Sequence, residues 1–262
     1  MVISVISGKG GVGKTVVSTN LAWIIAKDFN MQTLLIDANI TSSHISSVMK
    51  IPTTYTLNQL FGHHLNVKKI PVFKDVLHVL PARVFMSSRD YSSLTKLKDV
   101  IKELRRRYDV IIIDSAPGIG REALAAIQAA DTCLIVTTPY FPAIVDVLRI
   151  KRVLKELRNK RARVVLNMVE KKVYELSEDE IKYSIGFPLI GCLPFDEKVL
   201  ESVAMGELIA VTSPYSPFVR NLRKIAYYLL SEEFYVEMPS PWQTFLRRIK
   251  ELLTLHTIRA RL

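Results

Sequence analysis

Eight consecutive residues near the start of the chain, Gly8-Lys9-Gly10-Gly11-Val12-Gly13-Lys14-Thr15, have the types and spacing to hold a polyphosphate. Glycines allow a tight turn in which successive backbone N–H groups converge on one anion. Lys14 supplies a charge that reaches β- and γ-phosphates, and the Thr15 hydroxyl is placed to hold Mg²⁺. The form is G-x-x-x-x-G-K-[ST], with a second lysine, Lys9, inside it. Two carboxylates complete the set. Asp114 closes the apolar run Val110-Ile111-Ile112-Ile113, and an acid at the C-terminal end of a buried strand reaches the magnesium directly or through water. Gly118 follows at the spacing of a loop that senses the γ-phosphate. Asp37 closes Thr33-Leu34-Leu35-Ile36, where a carboxylate touches the magnesium shell or orients the attacking water. The expected nucleotide contacts run from Gly8 to Val16, with Thr15, Asp37 and Asp114 around the metal and ATP or ADP as the ligand.

These side chains need strands that end where they begin. Apolar runs at 2–6, 33–37, 110–114, 132–137, 162–166 and 189–193 alternate with helical stretches. Strands separated by helices imply parallel pairing through right-handed crossovers, and almost wholly apolar strands imply burial on both faces. The expectation is an α/β fold: a single P-loop domain with a mostly parallel twisted sheet flanked by helices. Its 262 residues provide ample core for one such domain. There is no repeat, no signal peptide and no apolar run of about 18 residues. Cys133 and Cys192 lie in separate strand-like segments and read as small core residues, which favours a cytoplasmic location.

The chain resembles the MinD/ParA family of ATPases, which carry a deviant Walker A motif. Lys9-Gly10-Gly11-Val12-Gly13-Lys14-Thr15 matches the family's K-G-G-x-G-K-T at every fixed position, and Leu35-Ile36-Asp37 matches its second strand. Asp114-Ser115-Ala116-Pro117-Gly118 resembles its D-S-P-A-G. Asn167 stands at a strand end where the family contacts adenine. Leu193-Pro194-Phe195-Asp196, then Gly206-Glu207-Leu208, resembles its later loop, with Leu208 where proline is usual. The resemblance covers roughly residues 1–230 and is nearer MinD than ParA. It implies that Asn167 and Pro194 belong to the nucleotide site. It also implies that Lys9 crosses a face-to-face homodimer to the partner's phosphates, so that ATP is buried between two subunits. One departure bears on chemistry. The family usually has a second Asp two residues after Asp37, which positions the attacking water; here that residue is Asn39. Asn hydrogen-bonds a water but cannot act as a base. The implied catalytic set is Lys9, Lys14, Asp37 and Asn39, with slow hydrolysis expected. A slow hydrolase, a hydrolysis-defective protein and an altered residue that traps ATP are all compatible with Asn39. His44, replacing an Asn common in MinD proteins, favours natural divergence. The cysteines of the family's iron-protein branch and the C-x-x-C of its scaffold branch are absent from the sequence.

The C-terminus forms a second unit. Residues 1–232 read as the ATPase domain, 233–241 as a proline-punctuated linker and 242–262 as an amphipathic helix. At about 100° per residue, Trp242, Phe245, Leu246, Ile249, Leu252 and Leu253 share one face and Arg247, Arg248, Lys250 and Glu251 the other. That is the pattern of a helix lying in a membrane interface, although a terminal helix docked on its own core shows it too. MinD proteins end in a membrane-targeting helix placed as this one is. Net charge is +11, much of it in Arg149, Lys151, Arg152, Lys155, Arg158, Lys160, Arg161 and Arg163. That run suits a solvated face, an anionic membrane or nucleic acid.

The leading expectation is therefore an ATP-driven positioning switch, dimeric with ATP, at the inner face of the cell membrane, acting on a protein regulator or cargo. A ParA-type DNA-segregation ATPase binding nucleic acid nonspecifically is the first alternative. An ATP-locked scaffold with little turnover is the second.

Overall fold

The computed structural model describes residues 1–61, 66–83, 96–157, 161–232 and 234. Its sheet has eight strands: β1 (Val2–Ile6), β2 (Thr33–Asp37), β3 (Val72–Phe73), β4 (Leu77–Leu80), β5 (Val110–Asp114), β6 (Thr132–Thr137), β7 (Arg161–Val169) and β8 (Leu189–Pro194). The order is β3-β4-β2-β5-β1-β6-β7-β8. Every pairing is parallel except β3 with β4. All six expected runs are strands. The β3–β4 edge was not legible, because two- and four-residue strands behind Pro71 are too short to show a pattern.

Ten α-helices are described: α1 (Lys14–Asp28), α2 (Ile45–Met49), α3 (Leu57–Leu60), α4 (Leu97–Leu104), α5 (Arg121–Ala129), α6 (Phe141–Glu156), α7 (Glu178–Ile185), α8 (Glu197–Ala204), α9 (Ile209–Thr212) and α10 (Pro217–Ser231). Side chains alternate across each strand. Ile3, Val5, Leu35, Ile112 and Leu134 therefore meet α1, α9 and α10 on one face. Val2, Leu34, Ile36, Ile111 and Ile113 meet α3, α4 and α5 on the other, and Ile6, Cys133, Ile135 and Val164 meet α6 and α7 beside them. Both faces are covered, which explains why the central strands carry almost no polar residues. The chain crosses from one side of β1 to the other between β5 and β6, and such a switch point opens a crevice at the strands' C-terminal ends.

The basic run is divided between a helix and a strand. Arg149, Lys151, Arg152 and Lys155 lie on α6, and Arg161 and Arg163 lie on β7. Arg163 pairs with Glu232 at 2.7 Å, and Lys151 donates to the Ile185 carbonyl at 2.8 Å, closing the end of α7. Arg158 and Lys160 lie outside the described residues, as do the linker (apart from Phe234) and the whole 242–262 segment.

Helix α10 fastens the C-terminal part of the domain. Ser216 caps it and Pro217 starts it, a pairing suited to a first turn. Phe218, Leu222, Ile225 and Leu229 then recur at helical spacing and are buried. Phe218 is 1% exposed. Phe218→Ala is expected to cost about 3–5 kcal/mol through lost burial and the cavity left behind, read as a lower urea midpoint with the slope unchanged.

Candidate functional site

The phosphate loop connects β1 to α1 across the switch point. Ser7, buried at the end of β1, donates its hydroxyl to the Lys9 carbonyl at 2.9 Å and so starts the turn. Gly13 closes it in the left-handed region (φ 81°), where a side chain is strained, and serves as the N-cap of α1. No side chain caps α1 and its first turn has no acid. Its leading N–H groups and positive dipole end are left to an anion. Gly8 is required for a different reason: a Cβ there would overlap the Asp146 side chain of α6.

The loop's lysines part company. Lys14 is buried and forms an ion pair with Asp114 at 2.9 Å, while Lys9 is exposed. The Thr15 hydroxyl donates to the other Asp114 oxygen at 2.7 Å. Both oxygens of the β5 carboxylate are thus engaged by the two residues expected to hold phosphate and magnesium. A magnesium ion at such sites takes one or two protein oxygens and completes its shell with phosphate and water. The Thr15–Asp114 pair is a fitting donor set.

Parallel register sets Asp37 of β2 directly beside Asp114. Asp37 is 1% exposed, and its carboxyl is pushed up to about 7, first by burial and then by the neighbouring Asp114 charge. Three donors oppose that shift: the Ser43 hydroxyl at 2.7 Å and the backbone N–H groups of Asn39 at 3.0 Å and Ile45 at 3.4 Å. Asp37 therefore also organises the segment that follows β2. Asn39 donates its amide to the Ser42 carbonyl at 2.7 Å, and its Oδ1 is buried with no protein partner. His44 is exposed at the start of α2. The loop after β5 returns to the phosphate loop, Gly118 N–H donating to the Ser7 carbonyl at 2.8 Å.

Asn167 lies inside β7 rather than at its end, where the pairing with β8 is irregular. Its amide donates to the Val12 carbonyl at 2.9 Å and lies against Gly13. Pro194 pairs with Val169 and lines a recess of about 520 Å³ with Glu170, Phe195, Asp196 and Pro217. One part of the structure thus brings together Gly8–Val16, Asp37, Asn39, Asp114 and Asn167, with Pro194 one strand further out. Sequence reading missed Ser43 and Glu122, because a serine in a short loop and an acid in a first helical turn are unremarkable until their partners are known. Burial and the nearby Glu178 push the Cys192 thiol up to about 12.

A mostly parallel sheet with this loop at its switch point and a Lys–Thr–Asp cluster behind it defines a P-loop nucleotide-binding protein. Residues 1–230 match the model described as "ParA: NUBPL iron-transfer P-loop NTPase". The septum site-determining protein MinD of Thermotoga maritima is 32% identical over 210 residues, covering 76% of this chain and 77% of that protein. An uncharacterized ATP-binding protein of Methanocaldococcus jannaschii is 29% identical over 248 residues, covering 94% of each. The crystal structure of the Pyrococcus furiosus cell division ATPase MinD superposes with a TM-score of 0.78 at 26% identity, covering 88% of this chain and 98% of that one. The chain belongs to the ParA/MinD family of P-loop NTPases.

The Asp37 carboxyl carries a pH signature. Its folded value near 7 lies above the ordinary 3.8. Its contribution to stability is complete below about 3.8 and is lost as pH rises through about 7. Between those values the nucleotide-free protein is expected to lose stability with rising pH, by up to about 1.4 kcal/mol per pH unit. Asp37→Asn should flatten that slope, measured by urea denaturation across the same window.

Proposed function

We propose that this protein is an ATPase whose ATP-dependent homodimerisation controls attachment to the inner surface of the cell membrane, and so the positioning of a cargo or division site. The observation that carries the reading is the split between the two lysines. Lys14 is buried against Asp114, and Lys9 stands exposed on the same loop. An exposed cation beside a phosphate cradle suits the nucleotide of a second subunit, where it would stabilise charge on the γ-phosphoryl oxygens. Exposed Phe141, Val173 and Tyr174 follow β6 and β7, at the same ends of the sheet as the loop. Apolar residues so placed support a face that becomes covered.

In this reading Lys14 and the α1 N-terminus bind the phosphates, and Thr15 and Asp114 hold magnesium, which supplies charge neutralisation for phosphoryl transfer. Asn39 and Asp37 orient the attacking water. Asn39 carries no charge, so it orients without accepting a proton and turnover is slow. Among the described residues no helix is long and apolar enough to cross a membrane. Attachment would rest on the 242–262 segment, weak in one copy and strengthened by avidity in a dimer. The exposed Arg149, Arg152 and Lys155 of α6 favour a second reading, nonspecific DNA binding.

Lys9→Ala is expected to keep nucleotide binding and lose the ATP-dependent dimer; a stable dimer on sizing with ATP and magnesium would refute the role. Asn39→Asp is expected to raise phosphate release roughly tenfold or more, within the range of general-base effects, and an unchanged rate would count against the assignment. Deleting 242–262 should abolish ATP-dependent sedimentation with anionic liposomes. Retained liposome binding, or salt-sensitive binding to plasmid DNA in its place, would overturn the membrane reading.

A further inference from the structure

Glu122 is 5% exposed in the first turn of α5, apart from the carboxylates that face the phosphate loop. An acid there suits the helix dipole, but the dipole does not require its burial. The packing does. Further along α5, Ala125 rests on Ile40 and Ala82, so the helix lies directly against the segment after β2 that carries Asn39. There the Thr41 hydroxyl donates to Glu122 Oε2 at 3.2 Å, and the Thr41 backbone N–H bonds to the same carboxylate. Glu122 Oε1 and Asn39 Oδ1 are both buried without a protein partner. A buried polar atom in that condition calls for a water or an incoming group.

Asn39 is anchored on its own segment through its N–H to Asp37 and its amide to the Ser42 carbonyl. Glu122 is the anchor that comes from a different element. We propose that Glu122 is a positioning residue for ATP hydrolysis: by gripping Thr41 it holds the 39–42 turn and so aims Asn39 Oδ1 at the water that attacks the γ-phosphate. The inference rests on the ATPase reading above. A residue that orients without taking a proton contributes only through geometry, so its effect depends on how firmly its turn is held. A carboxylate accepting two bonds holds a turn more strongly than a neutral acceptor would.

The test is steady-state phosphate release by the full chain with magnesium and ATP, alongside the affinity for a fluorescent ATP analogue. Glu122→Ala is expected to lower kcat about tenfold, and Thr41→Val, which keeps the backbone N–H bond, by less, while KM and analogue affinity stay within about twofold in both. The double variant should fall no further than Glu122→Ala alone, because the Thr41 hydroxyl bond is already lost there. Glu122→Gln, which keeps a neutral acceptor for Thr41, should recover part of the rate and guards against loss of fold in the alanine variant. Wild-type kcat in Glu122→Ala, additive losses in the double variant, or a parallel rise in KM would overturn the role of Glu122 and leave the ATPase reading standing. A wild-type protein that binds the analogue but releases no phosphate would overturn the ATPase reading, and this role with it.

Discussion

The buried ion pair between Lys14 and Asp114 is the interaction around which the rest of the site is arranged. It joins the first residue of α1 to the last residue of β5, a hundred positions apart in the chain. Charges with so little exposure survive only if paired, and removing one partner of such a pair costs about 3–5 kcal/mol because the other is left uncompensated. The pair therefore fixes how the phosphate loop sits against the sheet. Thr15, bonded to the same carboxylate, is brought into line with it.

A second constraint is that β2 and β5 run parallel and end together, which forces the Asp37 and Asp114 carboxylates side by side with little water between them. Two like charges in that setting resist ionising together. The structure answers by giving each a different job. Asp114 faces two donors of the phosphate loop, and Asp37 turns to Ser43 and the backbone of the following segment. That division sets the phosphate-loop cluster around Asp114 directly beside the segment that holds Asn39.

Much of this was legible in advance because the motifs are local. A glycine-rich turn between an apolar run and a helix names its own geometry, and acids closing apolar runs mark strand ends. The resemblance carried by Lys9-Gly10-Gly11-Val12-Gly13-Lys14-Thr15 led to the right family, and the apolar runs led to six of the eight strands of a mostly parallel sheet. Less local features were less legible. The basic run read as a solvated face or an anion-binding surface, yet Arg163 pairs with Glu232 and Lys151 closes α7, since a line of charges says nothing about which side of a strand or helix each will occupy. Asn167 read as a strand end but sits within β7, where an irregular pairing with β8 lets it reach the Val12 carbonyl.

The sequence by itself determined the chemistry on offer: a phosphate cradle, two lysines, two acids at strand ends, and an amide where the family usually has a carboxylate. Those follow from residue type and short spacing, which folding does not alter. Only the tertiary structure decided which lysine is buried and which exposed, that Asp37 lies beside Asp114 yet bonds to the segment after β2, and that Glu122 reaches Thr41 across 81 positions. These depend on strand order, register and helix packing, which bring distant residues within bonding distance. Burial then changes what each group can do, because a carboxylate or ammonium without water must find its partner inside the protein.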